Sequence, residues 1–197
     1  LSSSSAASDV YKRQRSDSKS SKTLLEFKYP FKRKIDLKIV SNLAINKSEQ
    51  EAYSSVLKQN RIGFFGELKK TINQRFVVNV SARNEIVLEE TSFLLPALEA
   101  NYSFLNFKLN VFAKFGQNVK FPSLNDLFWI PGGNPSLKPE ESTSMELGLK
   151  YKEQLLKDAY EFEIASSIYR NEINNYILWR PSQLGFWQAF NLNQVES

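Results

Sequence analysis

The chain of 197 residues contains no cysteine and no histidine. Without thiols there is no disulfide framework, and without either residue there is no Cys/His zinc site. A catalytic triad or general base built on imidazole is excluded for the same reason. No apolar run approaches the roughly 18 to 20 residues that a membrane helix needs. That rules out helical spanning but leaves barrel spanning open, because a closed barrel satisfies its own backbone groups. A concentrated charge of one sign is also missing. The net charge is +5, of which Lys12, Arg13 and Arg15 against Asp9 place +2 in the first fifteen residues and leave +3 for the rest. Lysine and arginine after residue 34 are scattered, mostly singly, among acidic residues, whereas a nucleic-acid footprint gathers them into a patch. No enzyme, metal site, cofactor or nucleic-acid partner is expected.

The amino terminus, LSSSSAASDVYKRQ, lacks the apolar core and cleavage pattern of a secretion signal. Its serine-rich composition predicts disorder over 1–22. The DVYKRQ stretch resembles translated sequencing-adapter sequence, so residues 1–15 are expected to be non-native and the chain a gene fragment, with the folded part at 23–197.

From residue 23 onward, apolar residues recur at spacing two, the signature of half-buried strands. Leu25, Phe27 and Tyr29 open the series, followed by Ile35 to Ile45, Ile62 to Leu68, Phe76 to Ala82, Leu98 to Phe104, Phe107 to Phe115, Met145 to Tyr151 and Tyr160 to Ile168. A ninth strand begins near Phe186. Polar residues such as Glu67, Arg83, Glu99, Glu146, Lys150, Glu161 and Glu163 fill the positions between, and Val77 and Phe112 break the rule. The connections alternate between short and long, and Tyr29, Phe31, Tyr102, Phe104, Phe107, Tyr151, Tyr160 and Phe162 flank the short ones. Outer-membrane barrels have short turns at one end, long loops at the other, and aromatic girdles at the interfaces. The expected fold is all-β, an antiparallel meander forming part of a large transmembrane β-barrel that is incomplete, with its plug domain and terminal strands missing.

The richest stretch is 115–151, FGQNVKFPSLNDLFWIPGGNPSLKPEESTSMELGLKY. Pro122 and Pro131 cannot donate to a ladder and stop the strand. Gly132 and Gly133 tolerate positive φ, and GNP and KPE are turn formers. This stretch resembles the signature region of TonB-dependent outer-membrane receptor barrels, through Phe115, Gly116, Pro122, Ser123, Asp126, Leu127, Phe128, Gly133, Asn134, Pro135, Leu137, Pro139, Glu140, Ser142, Glu146 and Gly148; WIPGGNP looks most like Bacteroidetes members. Asn118, Val119 and Lys120 stand where the family has Gly, Phe and Arg. Lysine lacks the bidentate fork of arginine, which puts any network built on that position in question.

The resemblance implies an outer-membrane receptor that captures a scarce nutrient, such as a siderophore, corrinoid or glycan, for uptake energised by the TonB–ExbB–ExbD complex acting on a plug. It also implies a monomeric barrel set in outer-membrane lipid. A motif shared by receptors with different ligands is mainly structural: an ordered loop folded over the barrel rim, with Leu124, Leu127 and Phe128 packed on its own wall. Trp129 and Asn134 are the positions expected to reach a ligand, and the inward charges are expected to hold the plug. A passive porin, or a soluble β-rich surface binding protein, is the alternative.

Overall fold

The computed structural model describes residues 16–32, 34–50, 57–87, 92–104, 106, 108–155, 160–183 and 185–197. Nine antiparallel strands form one sheet in sequence order. They are β1 (Ser16–Phe31), β2 (Ile35–Gln50), β3 (Leu57–Thr71), β4 (Phe76–Val87), β5 (Ser92–Phe104), β6 (Leu109–Lys120), β7 (Glu140–Leu155), β8 (Tyr160–Pro181) and β9 (Trp187–Glu196). One short helix, α1 (Leu124–Phe128), lies between β6 and β7. The meander is as expected. β1, however, starts at Ser16 and pairs with β2 from Gln50 downward, so the strand takes in residues assigned above to a disordered tail. Residues 1–15 and Phe107 lie outside the described residues.

The register gives the sheet two unlike faces. Tyr29, Leu37, Leu68, Val80, Leu98, Phe115 and Met145 fall in line from strand to strand, and Leu147 faces Ile168. Among the described residues no second layer covers them: Leu25 is 70% exposed and Ile168 72%. So broad an uncovered apolar face is foreign to a water-soluble monomer. On β2 the apolar positions run from Ile35 to Ile45. About ten steps of roughly 3.3 Å, at a tilt near 45°, give a band of about 25 Å, the height of a bilayer core.

The other face carries the charges, which pair across strands: Lys114 with Glu146 at 3.3 Å, Lys150 with Glu163 at 2.7 Å, and Lys152 with Glu161 at 3.1 Å and Glu163 at 2.8 Å. Phe112, which broke the alternation, sits on this face opposite Gly148. A Cβ on Gly148 would lie 2.4 Å from the Phe112 ring, so the glycine makes room for the aromatic. Lys114 lies over the same ring, 4.5 Å from its centre.

The two ends of the sheet also differ. At the short-turn end, Tyr29 and Phe31 meet at 4.6 Å, Tyr102 and Phe104 at 4.4 Å, and Phe76 and Tyr102 at 6.1 Å, forming an aromatic row. The 73–76 turn is fastened by Asn73, whose Oδ1 accepts the Arg75 and Phe76 backbone N–H groups. At the opposite end the long connections prove shorter than their composition suggested. β2 runs to Gln50, β4 to Val87, and β5 starts at Ser92. Most of 46–60 and 84–96 is therefore strand that continues past the apolar band. Strand β5 even includes Pro96, which pairs with Ala82 of β4 but lies just beyond the ladder to β6, where a missing N–H costs little. Among the described residues only 121–139 is a long loop.

Candidate functional site

The ladder between β6 and β7 ends at Lys120 opposite Glu140, and the loop 121–139 leaves from there. Phe121 and Pro122 are buried, and Ser123 caps α1 with a reciprocal box: its Oγ accepts the Asp126 N–H at 3.1 Å, while Asp126 Oδ2 accepts the Ser123 N–H at 2.9 Å and hydroxyl at 2.7 Å. The other Asp126 oxygen accepts the indole N–H of Trp179 on β8 at 2.9 Å. Burial alone would raise this carboxyl, but the bonds from Ser123 and Trp179, with the charge of Lys120 nearby, hold it below the usual carboxylate range.

The loop then crosses the β8–β9 hairpin. Beyond Asn174, strand β8 has lost its β7 partner and pairs with β9 alone. Its Ile177 N–H, which would otherwise point at β7, donates to the Glu140 carboxylate at 2.8 Å. Glu140 is only 7% exposed, and the same oxygen takes the Lys120 ammonium at 3.0 Å. The lysine that replaces the family arginine thus still closes a network, through one bond instead of a fork. On the far edge of β9, the Ala189 N–H donates to Gly132 O at 2.9 Å and Ala189 O accepts from Asn134 Nδ2 at 3.2 Å. Asn191 binds the Lys138 backbone at both N–H and carbonyl. Beneath these bonds Leu127, Leu137, Ile177 and Ala189 form a small core, flanked by Phe128 and Trp179. Gly132 is needed because a Cβ there would meet the Trp187 carbonyl oxygen at 1.8 Å.

Most of the signature residues therefore meet in one place. Lys120, Pro122, Ser123, Asp126, Leu127, Gly133, Asn134, Pro135, Leu137, Pro139 and Glu140 build the loop and its anchors. Gly116, Glu146 and Gly148 lie lower, on the polar face of β6 and β7. The loop does pack on a wall, but chiefly that of β8 and β9. Asn134 has both ends of its amide engaged, since Oδ1 accepts the Ser136 N–H at 3.0 Å. Trp129 is half-buried, next to Ile130, which is 58% exposed. Sequence reasoning missed Ile177, Trp179, Ala189 and Asn191. Their only signal was an unexplained tryptophan and asparagines in a stretch where strict alternation fades.

No metal-binding group of three or more acidic, histidine or cysteine residues occurs among the described residues. The arrangement is a clamp, with side-chain carboxylates and amides substituting for missing strand partners.

Comparison with known proteins places this geometry. Residues 8–197 match the family described as TonB dependent receptor-like, beta-barrel. The vitamin B12 transporter BtuB of Photobacterium profundum is 38% identical over 93 residues, covering 45% of this chain and 14% of the transporter. BtuB of Vibrio vulnificus is 38% identical over 85 residues, 43% of this chain and 13% of that protein. Among solved structures, the siderophore receptor PirA from Pseudomonas aeruginosa superposes with a TM-score of 0.78 at 17% identity, over 92% of this chain and 36% of the receptor. The Serratia marcescens hemophore receptor HasR gives 0.74 at 12% identity, over 93% and 38%. The chain spans about a seventh of the curated relatives' length and about a third of these structures. With an uncovered apolar face, a charged face and a clamped rim loop, and matched over nearly its whole length, the chain belongs to the TonB-dependent receptor-like β-barrel family.

Proposed function

We propose that the nine strands are a segment of the wall of an outer-membrane receptor that binds a scarce nutrient at the cell surface and imports it with energy relayed from TonB, ExbB and ExbD. The observation that carries this reading is one sheet with a bilayer-high apolar face and an ion-paired polar face. The first meets lipid; the second faces the lumen, where Glu67, Arg83, Glu99, Glu146, Lys150, Glu161 and Glu163 hold a plug. The end bearing the 121–139 loop faces outward from the cell, and the aromatic row lies at the periplasmic interface. The barrel works as a monomer and neither catalyses a reaction nor carries a resident cofactor.

Among nutrient classes a corrinoid comes first, because the two curated relatives are vitamin B12 transporters. The two solved structures named above, at 17% and 12% identity, bear on the fold alone. Trp129 is the side chain we propose to touch ligand, while Asn134 serves the loop. Titrating the full-length receptor with cyanocobalamin and, separately, with ferric enterobactin tests the assignment. Saturable binding of cyanocobalamin, weakened about tenfold by Trp129→Ala, is the expected result. Saturable binding of ferric enterobactin alone moves the assignment to siderophores, and unchanged uptake in cells lacking TonB removes the energised mechanism.

A further inference from the structure

The charges on the polar face fall into two groups. On β6, β7 and β8, among the described residues, each one is ion-paired within the wall itself: Lys114 with Glu146, Lys120 with Glu140, Lys150 with Glu163, and Lys152 with Glu161 and Glu163. Lower on β3 and β5 the pattern is reversed. Glu67 lies opposite Lys38, whose ammonium goes instead to Glu26 at 3.5 Å, and Glu99 lies opposite Lys114, which goes to Glu146 at 3.3 Å. Glu99 receives only the Asn101 amide, at 2.8 Å. Lys69 and Arg75 make no ion pair among the described residues. Phe65, Asn79, Ser81 and Ala97, which surround the two carboxylates on this face, are all described and all uncharged. Glu67, Lys69, Arg75 and Glu99 line one hollow of about 380 Å³.

A charge that is covered without a partner is costly, whereas one whose partner is already in place is far less so. A surface seated against β6–β8 can therefore leave and return with little electrostatic change. One seated against β3–β5 has to bring its own counter-charges, and departure leaves four ionised groups of the wall and their partners to be solvated again. We infer that the imported nutrient passes between the plug and the β6–β8 wall, while the plug stays seated on the hollow at β3–β5. This passage presupposes the plugged receptor proposed above and refines it: both groups of charges touch the plug at rest, and they differ in the cost of letting go.

The test places single cysteines in the full-length receptor, at matched depths on the two walls. Ser81 and Ser144 stand in one row across the polar face, and so do Thr71 and Ser167. Cells with and without TonB are exposed to fluorescein maleimide while they import cyanocobalamin, or ferric enterobactin if that is the nutrient bound. Ser144→Cys and Ser167→Cys should label at least fivefold faster when TonB is present, and Ser81→Cys and Thr71→Cys at the same rate either way. Acceleration on both walls, on neither, or on β3 and β4 alone would overturn the passage. In cells lacking TonB, Glu67→Gln combined with Glu99→Gln should raise labelling of Ser81→Cys at least fivefold and leave that of Ser144→Cys unchanged; no rise at Ser81→Cys would overturn the seat. Heat-dependent gel mobility checks that the variants are folded, and if the glutamine pair fails to fold, Glu99→Gln alone should raise labelling of Ser81→Cys, with no rise again overturning the seat. Import by the same cells separates the two readings. TonB-dependent import with labelling on the wrong wall removes the passage and keeps the receptor, whereas import that ignores TonB removes the receptor reading and the passage with it.

Discussion

At the scale of single residues, the rim depends on a few carboxylates that do the work of backbone. Glu140 is buried and accepts both the Ile177 N–H and the Lys120 ammonium. Glu140→Ala leaves the buried Ile177 amide without a partner, at a cost of about 1 to 3 kcal/mol, while the exposed Lys120 ammonium returns to water. Glu140→Gln keeps the acceptor and should cost about half as much. Hydrogen exchange at the Ile177 amide is the readout: acceleration in the alanine variant well beyond that in the glutamine variant is expected, and equal rates would contradict the clamp. Asp126 predicts a pH dependence. Its carboxyl is held below the usual range, so the ionised form stabilises the loop; that contribution is complete above the unfolded carboxylate range and disappears as pH falls through the lower folded value. Acidification should release the Trp179 indole, seen as a fluorescence shift that Asp126→Asn abolishes, since an amide does not titrate and its single oxygen cannot accept from Ser123 and Trp179 at once. The serine, aspartate, prolines and glycines of this loop were legible because turn and cap chemistry is local. Trp179 was not, because its partner lies 53 residues away and no spacing rule reports such a meeting.

At the scale of elements, alternation located the strands but misjudged their ends. Period-two patterning requires one face in an apolar medium, and it fades where both faces meet water. Strands β2, β4, β5 and β8 continue past that level, where Val87, Leu95 and Ile177 are buried by specific contacts and not by a period, so their extensions passed for loops. Depth along a strand makes the faces testable. Leu147, midway along β7 and within its Met145–Tyr151 apolar run, should cost about 2 to 4 kcal/mol as Leu147→Arg in the full-length barrel, whereas Leu109, the first residue of β6 beside the aromatic row, should cost about 0 to 1 as Leu109→Arg because an arginine there reaches the interface. Urea titration of folded barrel in lipid vesicles checks both. Equal costs would mean that the depth is misassigned, and no cost for either that the faces are reversed.

At the scale of the whole molecule, the sheet is open. β1 and β9 are its outer strands, and among the described residues no layer covers the apolar side. Exposed edges and uncovered apolar faces drive chains together, so residues 16–197 produced alone should aggregate in plain buffer and disperse only in detergent. A monodisperse monomer with a cooperative melt in plain buffer would overturn the account of the two faces. The fold class was fully legible because a bilayer imposes the same period on every strand it touches, whereas the rim, which meets water, is shaped by specific contacts between distant segments.

Those contacts have a consequence for engineering. The 121–139 loop and the top of the β8–β9 hairpin share one core, one carboxylate and one edge, so neither is an independent module. A chimera that borrows the loop from another receptor but keeps the native hairpin would leave Trp179, Ile177 and Ala189 with no counterparts. Exchange between relatives should succeed only when 121–140 and 175–191 move together as a single two-part cassette.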